Sequence, residues 1–330
     1  MPTAPFSHPI VVYRCDHLQP FRVTGADARG FLQSQLTQDI DAVRSHRAAL
    51  AGFCSAQGRL WASMLLTAPT DDSGFVAVVR ADIVESLLKR LRMFVLRSKV
   101  VIEPVNDQQV LGLTMAQSEV AKLSAELTHE LPMDSWDSLA CSTGIWVRMP
   151  SAQEGEARFL LIAASEQCQQ IIDVLCENPS QIRPAEDWQV LDIQAGLPWI
   201  EAKTQDLFIP QTVNLDLIQG VSFTKGCYPG QEIVARAHYR GTVKRRMHLA
   251  KVEGDTVGIQ AGNDIFVSDR ADDPQGRVIM VASSPTEAGS GCWVLFEAPF
   301  AVIEAGDLRV GSAAGSQLIV LDLPYALTTV

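Results

Sequence analysis

Apolar positions along the chain fall into short runs of two different periods, and the two kinds of run alternate. Residues 10–13 and 21–24 alternate or cluster as short strands do, and after Gly25 and Asp27 the residues Ala28, Phe31, Leu32 and Leu36 recur at helical spacing. Gln33, Gln35 and Gln38 fall beside or opposite that apolar face and read as helix surface. Residues 48–67 predict two strands about a Gln57-Gly58-Arg59 turn. A strand over 75–79 leads to a helix that Asp82 can cap, with Ile83, Leu87, Leu88, Leu91 and Phe94 or Val95 inward and Lys89, Arg90 and Arg92 mostly on the solvent side. Strands over 100–102 and 110–113, a helix over 118–127, a loop over 130–142, strands over 144–147 and 159–163 and a helix over 168–176 follow. Pro184 opens a further helix with Trp188, Leu191 and Ala195 on one face, and Gly196 stops it. From Lys244 on the runs are short and strand-like, over 247–252, 264–267, 277–282, 293–296 and 308–310, and Gly254, Gly262, Gly276, Gly291 and Gly306 punctuate them. Such spacing predicts a small β-barrel or Greek-key domain over 241–330, after an α+β region over 1–240.

Composition changes this picture little. The chain of 330 residues is long enough for two or three cores, and its hydrophobic (47%) and charged (20%) fractions are those of a globular protein. A net charge of −11 argues against a general positive field for nucleic acid. Lys225, Arg236, His238, Arg240, Lys244, Arg245 and Arg246 still form a local basic cluster, which reads either as a solvated surface or as a cradle for an anion. The seven cysteines are scattered and form no Cys-x-x-Cys pair, which fits a reducing compartment and offers no zinc or iron–sulfur ligand set. Met1 to Pro9 reads as a loose tail, and with no signal-like or long apolar run the expected location is the cytoplasm, away from membranes.

Candidate chemistry concentrates between Lys225 and Arg236. In Tyr228-Pro229-Gly230-Gln231, Pro229 presets the second position of a turn and Gly230 allows the positive φ of a type II turn at the third. Beyond it Ile233 and Val234 predict a strand running to Arg240, with Arg236, His238 and Arg240 on one face. Cys227 then sits just before the turn with Lys225 and Arg236 as cationic neighbours, a setting that favours a thiolate. The plain alternative is a cysteine that only packs.

Lys225-Gly226-Cys227-Tyr228-Pro229-Gly230-Gln231-Glu232 resembles the signature of the YgfZ-type folate-binding proteins, relatives of the glycine-cleavage T-protein. The resemblance extends to Phe208-Ile209-Pro210-Gln211 with Asn214-Leu215, to Gly25-Ala26-Asp27 with residues 31–37, to residues 57–61, to Ser98-Lys99-Val100 and to Leu323-Pro324-Tyr325. It implies a T-protein-like, multi-lobed folate-binding fold, with residues 1–240 as two interleaved lobes and a folate, tetrahydrofolate or a one-carbon derivative, between them. It implies that Cys227 is the functional thiol, that Lys225 and Arg236 tune it, and that Gln231 and Glu232 brace the turn or touch a partner. An aromatic at Trp188 is associated with folate stacking, whereas by its place on an apolar helix face it equally reads as core. The second aromatic of the family falls at Leu18, so that partner is replaced. Gln194 stands where relatives tend to carry glutamate, keeping hydrogen bonds but not charge.

Three functions follow from this reading. The first is a folate-binding accessory protein of iron–sulfur cluster assembly or repair, which supports iron–sulfur enzymes such as those that thiolate tRNA, without binding nucleic acid itself. The second is a folate-dependent aminomethyltransferase or demethylase, which needs an acid or base near a folate nitrogen. The T-protein places an aspartate there, and this chain has Leu60-Trp61-Ala62-Ser63. The third is a scaffold that keeps the fold without using folate. Folate titration separates the third from the others, and an aminomethyl-transfer assay separates the first two.

Overall fold

The computed structural model describes residues 8–68, 74–176, 178–239, 243–254, 256–270, 272–283 and 291–328. Arg240, Gly241 and the first seven residues of the expected tail lie outside them. The chain divides into two compact units between which it passes repeatedly: residues 1–31, 40–49 and 65–188 form one, and residues 32–39, 50–64 and 189–330 the other.

The first unit holds a six-stranded sheet in the order Ile182–Arg183, Val11–Arg14, Gln108–Ala116, Glu156–Ala164, Gly144–Met149, Ser138–Cys141. All its pairings are antiparallel except that of Ile182–Arg183 with Val11–Arg14. The long central strands are apolar enough to be buried along their length, and the helices Val120–Leu127 and Ser165–Leu175 lay Val120, Leu123, Cys168, Ile171, Ile172 and Leu175 into the same core. A second group pairs Val101–Pro104 with Leu18–Thr24, Leu18–Thr24 with Phe75–Arg80, and Phe75–Arg80 with residues 65–67. Asp82 lies in a short 3-10 turn, Ala81–Ile83, that runs into the helix Val84–Arg92. One expectation fails here. Residues 138–141, expected as loop, form an edge strand because Gly144, at φ +130°, allows a tight return against Gly144–Met149.

In the second unit a seven-stranded antiparallel sheet runs Ser316–Gln317, Leu308–Val310, Asp264–Val267, Gly276–Ala282, Gly291–Pro299, Arg245–Glu253, Ile319–Leu321. Its first and last strands are consecutive in the chain, so the sheet curls into a nearly closed barrel around Ala250, Ile265, Val278, Val294, Phe296 and Leu308. The residues preceding the barrel clamp it. Asn214, in the left-handed region at φ 58°, donates through Nδ2 to the Met247 carbonyl at 2.9 Å and accepts from Met247 N–H at 3.3 Å. Arg246, wholly buried, donates to Asp216 Oδ1 at 2.6 Å and to the Gln211 carbonyl at 2.9 Å. Tyr325 Oη donates to the Gly196 carbonyl at 2.9 Å, and Gly196 ends its helix at φ +66°. Thr37 Oγ1 accepts from Gly52 N–H and donates to the Gly220 carbonyl, at 2.7 and 2.6 Å. Gln35 and Gln38 are buried where helix surface was expected, and Gln38 Nε2 donates to the carbonyls of Leu50 and Gln219 at 3.0 and 2.5 Å.

Removing one member of a buried ion pair strands the other charge. Arg246→Ala should therefore lower stability by about 3–5 kcal/mol, and the double variant Arg246→Met with Asp216→Leu should recover most of the loss. Urea unfolding midpoints check both.

Candidate functional site

The loop that carries Cys227 is fixed from several sides within the second unit. Lys225 Nζ donates to the carbonyl oxygens of Gln33, Leu36 and Gln38 at 2.6, 2.7 and 2.8 Å. These groups lie at and beyond the end of the Ala28–Gln35 helix, where carbonyls lack intrahelical partners and a cation is favoured. An ammonium has three protons to give, and all are taken. Burial pulls the Lys225 pKa down to about 8, while the Asp39 carboxylate acts the other way. The same ammonium lies 5.4 Å from the centroid of the buried Tyr228 ring.

The predicted turn is present: Gln231 N–H donates to the Tyr228 carbonyl at 3.2 Å, and Gly230 has φ +79°. A Cβ on Gly230 would lie 2.5 Å from Gly58 Cα and from the Ser55 carbonyl oxygen. Gly58, at φ +71°, meets Ile233 in the same way from the hairpin side. Two glycines thus let two turns touch, backbone to backbone.

Beyond Gly230 the expected strand is replaced by a helix, Gln231–Tyr239. The alternation of Ala235, Arg236, Ala237 and His238 mimics a period of two, yet alanine is indifferent to the period, and glutamine, glutamate, alanine and arginine favour a helix. Val234 is the buried residue of this helix, and Gln211 Nε2 donates to its carbonyl at 2.6 Å. Glu232 lies exposed in the first turn and Arg236 exposed in the last, each on the side that the helix dipole favours. Gln231 Nε2 reaches the Gly226 carbonyl at 3.4 Å. His238 leaves the expected cationic face and stacks on Phe223, centroids 3.7 Å apart at 11°. Phe223 was missed, although an aromatic so near the motif was a usable signal. The basic cluster is dispersed as well: Arg245 pairs with Glu297, and Arg246 with Asp216.

Of the seven cysteines Cys227 alone is exposed. Burial pushes the Cys54 thiol up to about 12 and those of Cys168 and Cys292 up to about 11. Among the described residues no three His, Cys, Asp or Glu side chains converge as a metal site.

Ser63 lies in the strand Leu60–Thr67, within the stretch Leu60-Trp61-Ala62-Ser63 where the resemblance implied an aspartate. Its hydroxyl donates to the Pro198 carbonyl and accepts from Ile200 N–H, both at 2.9 Å, so it is spent on the backbone. Leu18 and Trp188 are both buried in the first unit. The Arg158 guanidinium lies 4.4 Å from the Trp188 ring centroid, Tyr13 lies 5.4 Å away, and Gly112 has no room for a Cβ against the ring. No face of that ring is open for stacking. Its Nε1 is buried with no hydrogen-bond partner among the described residues.

No family model matches the chain. A tRNA-modifying protein YgfZ of Yersinia pseudotuberculosis is 36% identical over 249 residues, 75% of this chain and 72% of its own length. The protein of the same name from Yersinia enterocolitica is 32% identical over 97% of this chain and 94% of its own length. The chain belongs to the YgfZ family. In fold it resembles the glycine cleavage system aminomethyltransferase T of Bartonella henselae, with a TM-score of 0.70, 15% identity, and cover of 96% of this chain and 86% of that one. The T-protein fold expected for a YgfZ protein is therefore present. The buried Trp188 N–H, without a partner among the described residues, is an orphaned donor of the kind that an acceptor atom of a pterin would satisfy.

The two glycines of the loop separate by their surroundings. Gly230→Ala combines a positive φ with the contacts at 2.5 Å and should cost at least about 1–2 kcal/mol, whereas a Cβ on Gly226 meets nothing within 4 Å and Gly226→Ala should stay within about 0.5 kcal/mol. Chemical denaturation of the two variants checks the contrast.

Proposed function

We propose that this chain binds a reduced folate and supports iron–sulfur cluster assembly or repair, and through it iron–sulfur enzymes such as those that thiolate tRNA. The observation that carries the proposal is the presentation of Cys227. Lys225, Tyr228, Gly230 and Val234 hold the loop and helix start around it, and its own side chain stays in solvent. A loop held in this way does not have to be ordered when a partner docks, which lowers the entropic cost of bringing a client to the sulfur. Cys227 is the working thiol; Gln231 and Glu232 lie beside it as polar contacts for the client, and Arg236 contributes exposed positive charge one to two turns along the helix.

A bound reduced folate supplies pterin and one-carbon chemistry. Trp188 would hold it by donating its Nε1 proton, and Leu18 takes no polar part. Aminomethyl transfer is set aside because the Ser63 hydroxyl is committed to Pro198 and Ile200, leaving no acid or base at that place. Clients are iron–sulfur enzymes or assembly proteins, and the negative overall charge keeps RNA contact indirect. Among the described residues no helix is long and apolar enough to cross a membrane.

Two variants test the two halves. Trp188→Phe, with its fold verified by circular dichroism, should weaken tetrahydrofolate binding by about 1 kcal/mol, roughly fivefold in Kd by calorimetry. Cys227→Ser should keep that affinity and yet fail to restore iron–sulfur client activity in cells that lack the protein. Unchanged affinity in the first variant removes Trp188 from the folate site, and full client activity in the second removes the thiol from the function.

A further inference from the structure

In the first unit, a different thiol meets an imidazole. Cys141 ends the strand Ser138–Cys141 and pairs with Gly144 across the turn. His129 follows the helix Val120–Leu127 by way of Thr128, whose left-handed φ of 59° turns the chain back. These two elements bring His129 Nε2 to 3.6 Å from Cys141 Sγ, a hydrogen-bonding distance for sulfur. Thr143 Oγ1 is 3.1 Å from the same sulfur, and Trp146 Nε1 donates to that oxygen at 2.9 Å. An indole N–H can only donate. The Thr143 oxygen therefore accepts there, and its own proton is left for the sulfur. The Gly144 carbonyl at 3.5 Å is the competing acceptor for the thiol proton.

His129 also lines a cavity of about 570 Å³, together with Ala121, Ser124, Ala125, Glu130 and Met133. That volume suits a small organic molecule. Half of the lining side chains are small, Cys141 is not among them, and Glu130 is the one carboxylate among the described lining residues. Cys141 is half-buried, open enough to be reached, whereas Cys15, Cys54, Cys168 and Cys292 are buried.

We infer that Cys141 and His129 form a thiol–imidazole pair that exchanges with low-molecular-weight, amine-bearing disulfides, which approach the sulfur from the cavity that His129 lines. His129 Nε2 takes the proton from Cys141 Sγ, and the Thr143 hydroxyl steadies the negative sulfur. The thiolate attacks one sulfur of the disulfide, the S–S bond breaks, and the leaving thiolate takes the proton back from the imidazolium. One mixed disulfide on Cys141 and one free small thiol result, and the disulfide is the sole oxidant. Glu130 attracts the ammonium group of the incoming molecule. This site is independent of the Cys227 loop and gives the chain a second thiol that reports on small-molecule redox state.

Cystamine is the probe, with the full-length protein and mass-spectrometric mapping of each cysteine. Cys141 should form its mixed disulfide at least tenfold faster than Cys176, the other half-buried cysteine. His129→Gln should slow Cys141 at least tenfold and leave the rate at Cys227 unchanged. Ala125→Phe, which fills the cavity, should slow cystamine at Cys141 but not the much smaller methyl methanethiosulfonate. A Cys141 rate no faster than that of Cys176 overturns the inference, as does an unchanged Cys141 rate in a folded His129→Gln protein. Equal slowing of both reagents by Ala125→Phe overturns the role of the cavity. Should His129→Gln lose its fold, the comparison of Cys141 with Cys176 in the unmodified chain decides alone.

Discussion

One ammonium group sits on three backbone carbonyl oxygens, and the Cys227 loop depends on it. Lys225 satisfies the carbonyls of Gln33, Leu36 and Gln38, and in doing so joins the segment after the first helix to the loop 192 residues away in sequence from Gln33. Carbonyls left bare in a half-buried place would each cost on the order of 1–3 kcal/mol, so the contact has a steep penalty for leaving. Once Lys225 is placed, Tyr228 follows beneath it and the turn at Gly230 meets the turn at Gly58. Lysine at this position is thus explained by geometry before any effect on the thiol is invoked.

The barrel is held by the same economy of buried polar groups. Asn214 and Asp216, a few residues past Gln211, take up the backbone and guanidinium of the first barrel strand, and Gln211 itself turns its amide to Val234 and its carbonyl to Arg246. A single short segment therefore fixes both the helix behind Cys227 and the start of the barrel. Buried polar atoms without partners are costly, and the Trp188 N–H is one of several such atoms among the described residues.

Much of this was legible in the residues. The Gln57–Arg59 turn, the Tyr228–Gln231 turn, the stop at Gly196 and the run of barrel strands all rest on glycine or proline chemistry that acts locally, and local rules read well from sequence. What was illegible depends on distant partners. Gln38 looks like helix surface until Leu50 appears against it. Trp188 reads equally as core or cleft until Arg158 and Tyr13 cover it. The helix after Gly230 reads as a strand in the sequence because alanines carry no period. The Cys141–His129 contact joins two unremarkable residues whose meeting depends on a left-handed Thr128 that no motif announces.

The central claim is that the fold presents Cys227 in solvent while it buries Cys15, Cys54, Cys168 and Cys292. Competitive alkylation of the native protein with an isotope-coded iodoacetamide at pH 7, resolved cysteine by cysteine, tests it most directly. The account predicts that Cys227 labels first, at least tenfold ahead of Cys54, Cys168 and Cys292, whose burial keeps them protonated and out of reach. Comparable rates at Cys227 and those buried cysteines, or protection of Cys227 in the folded chain, would contradict it.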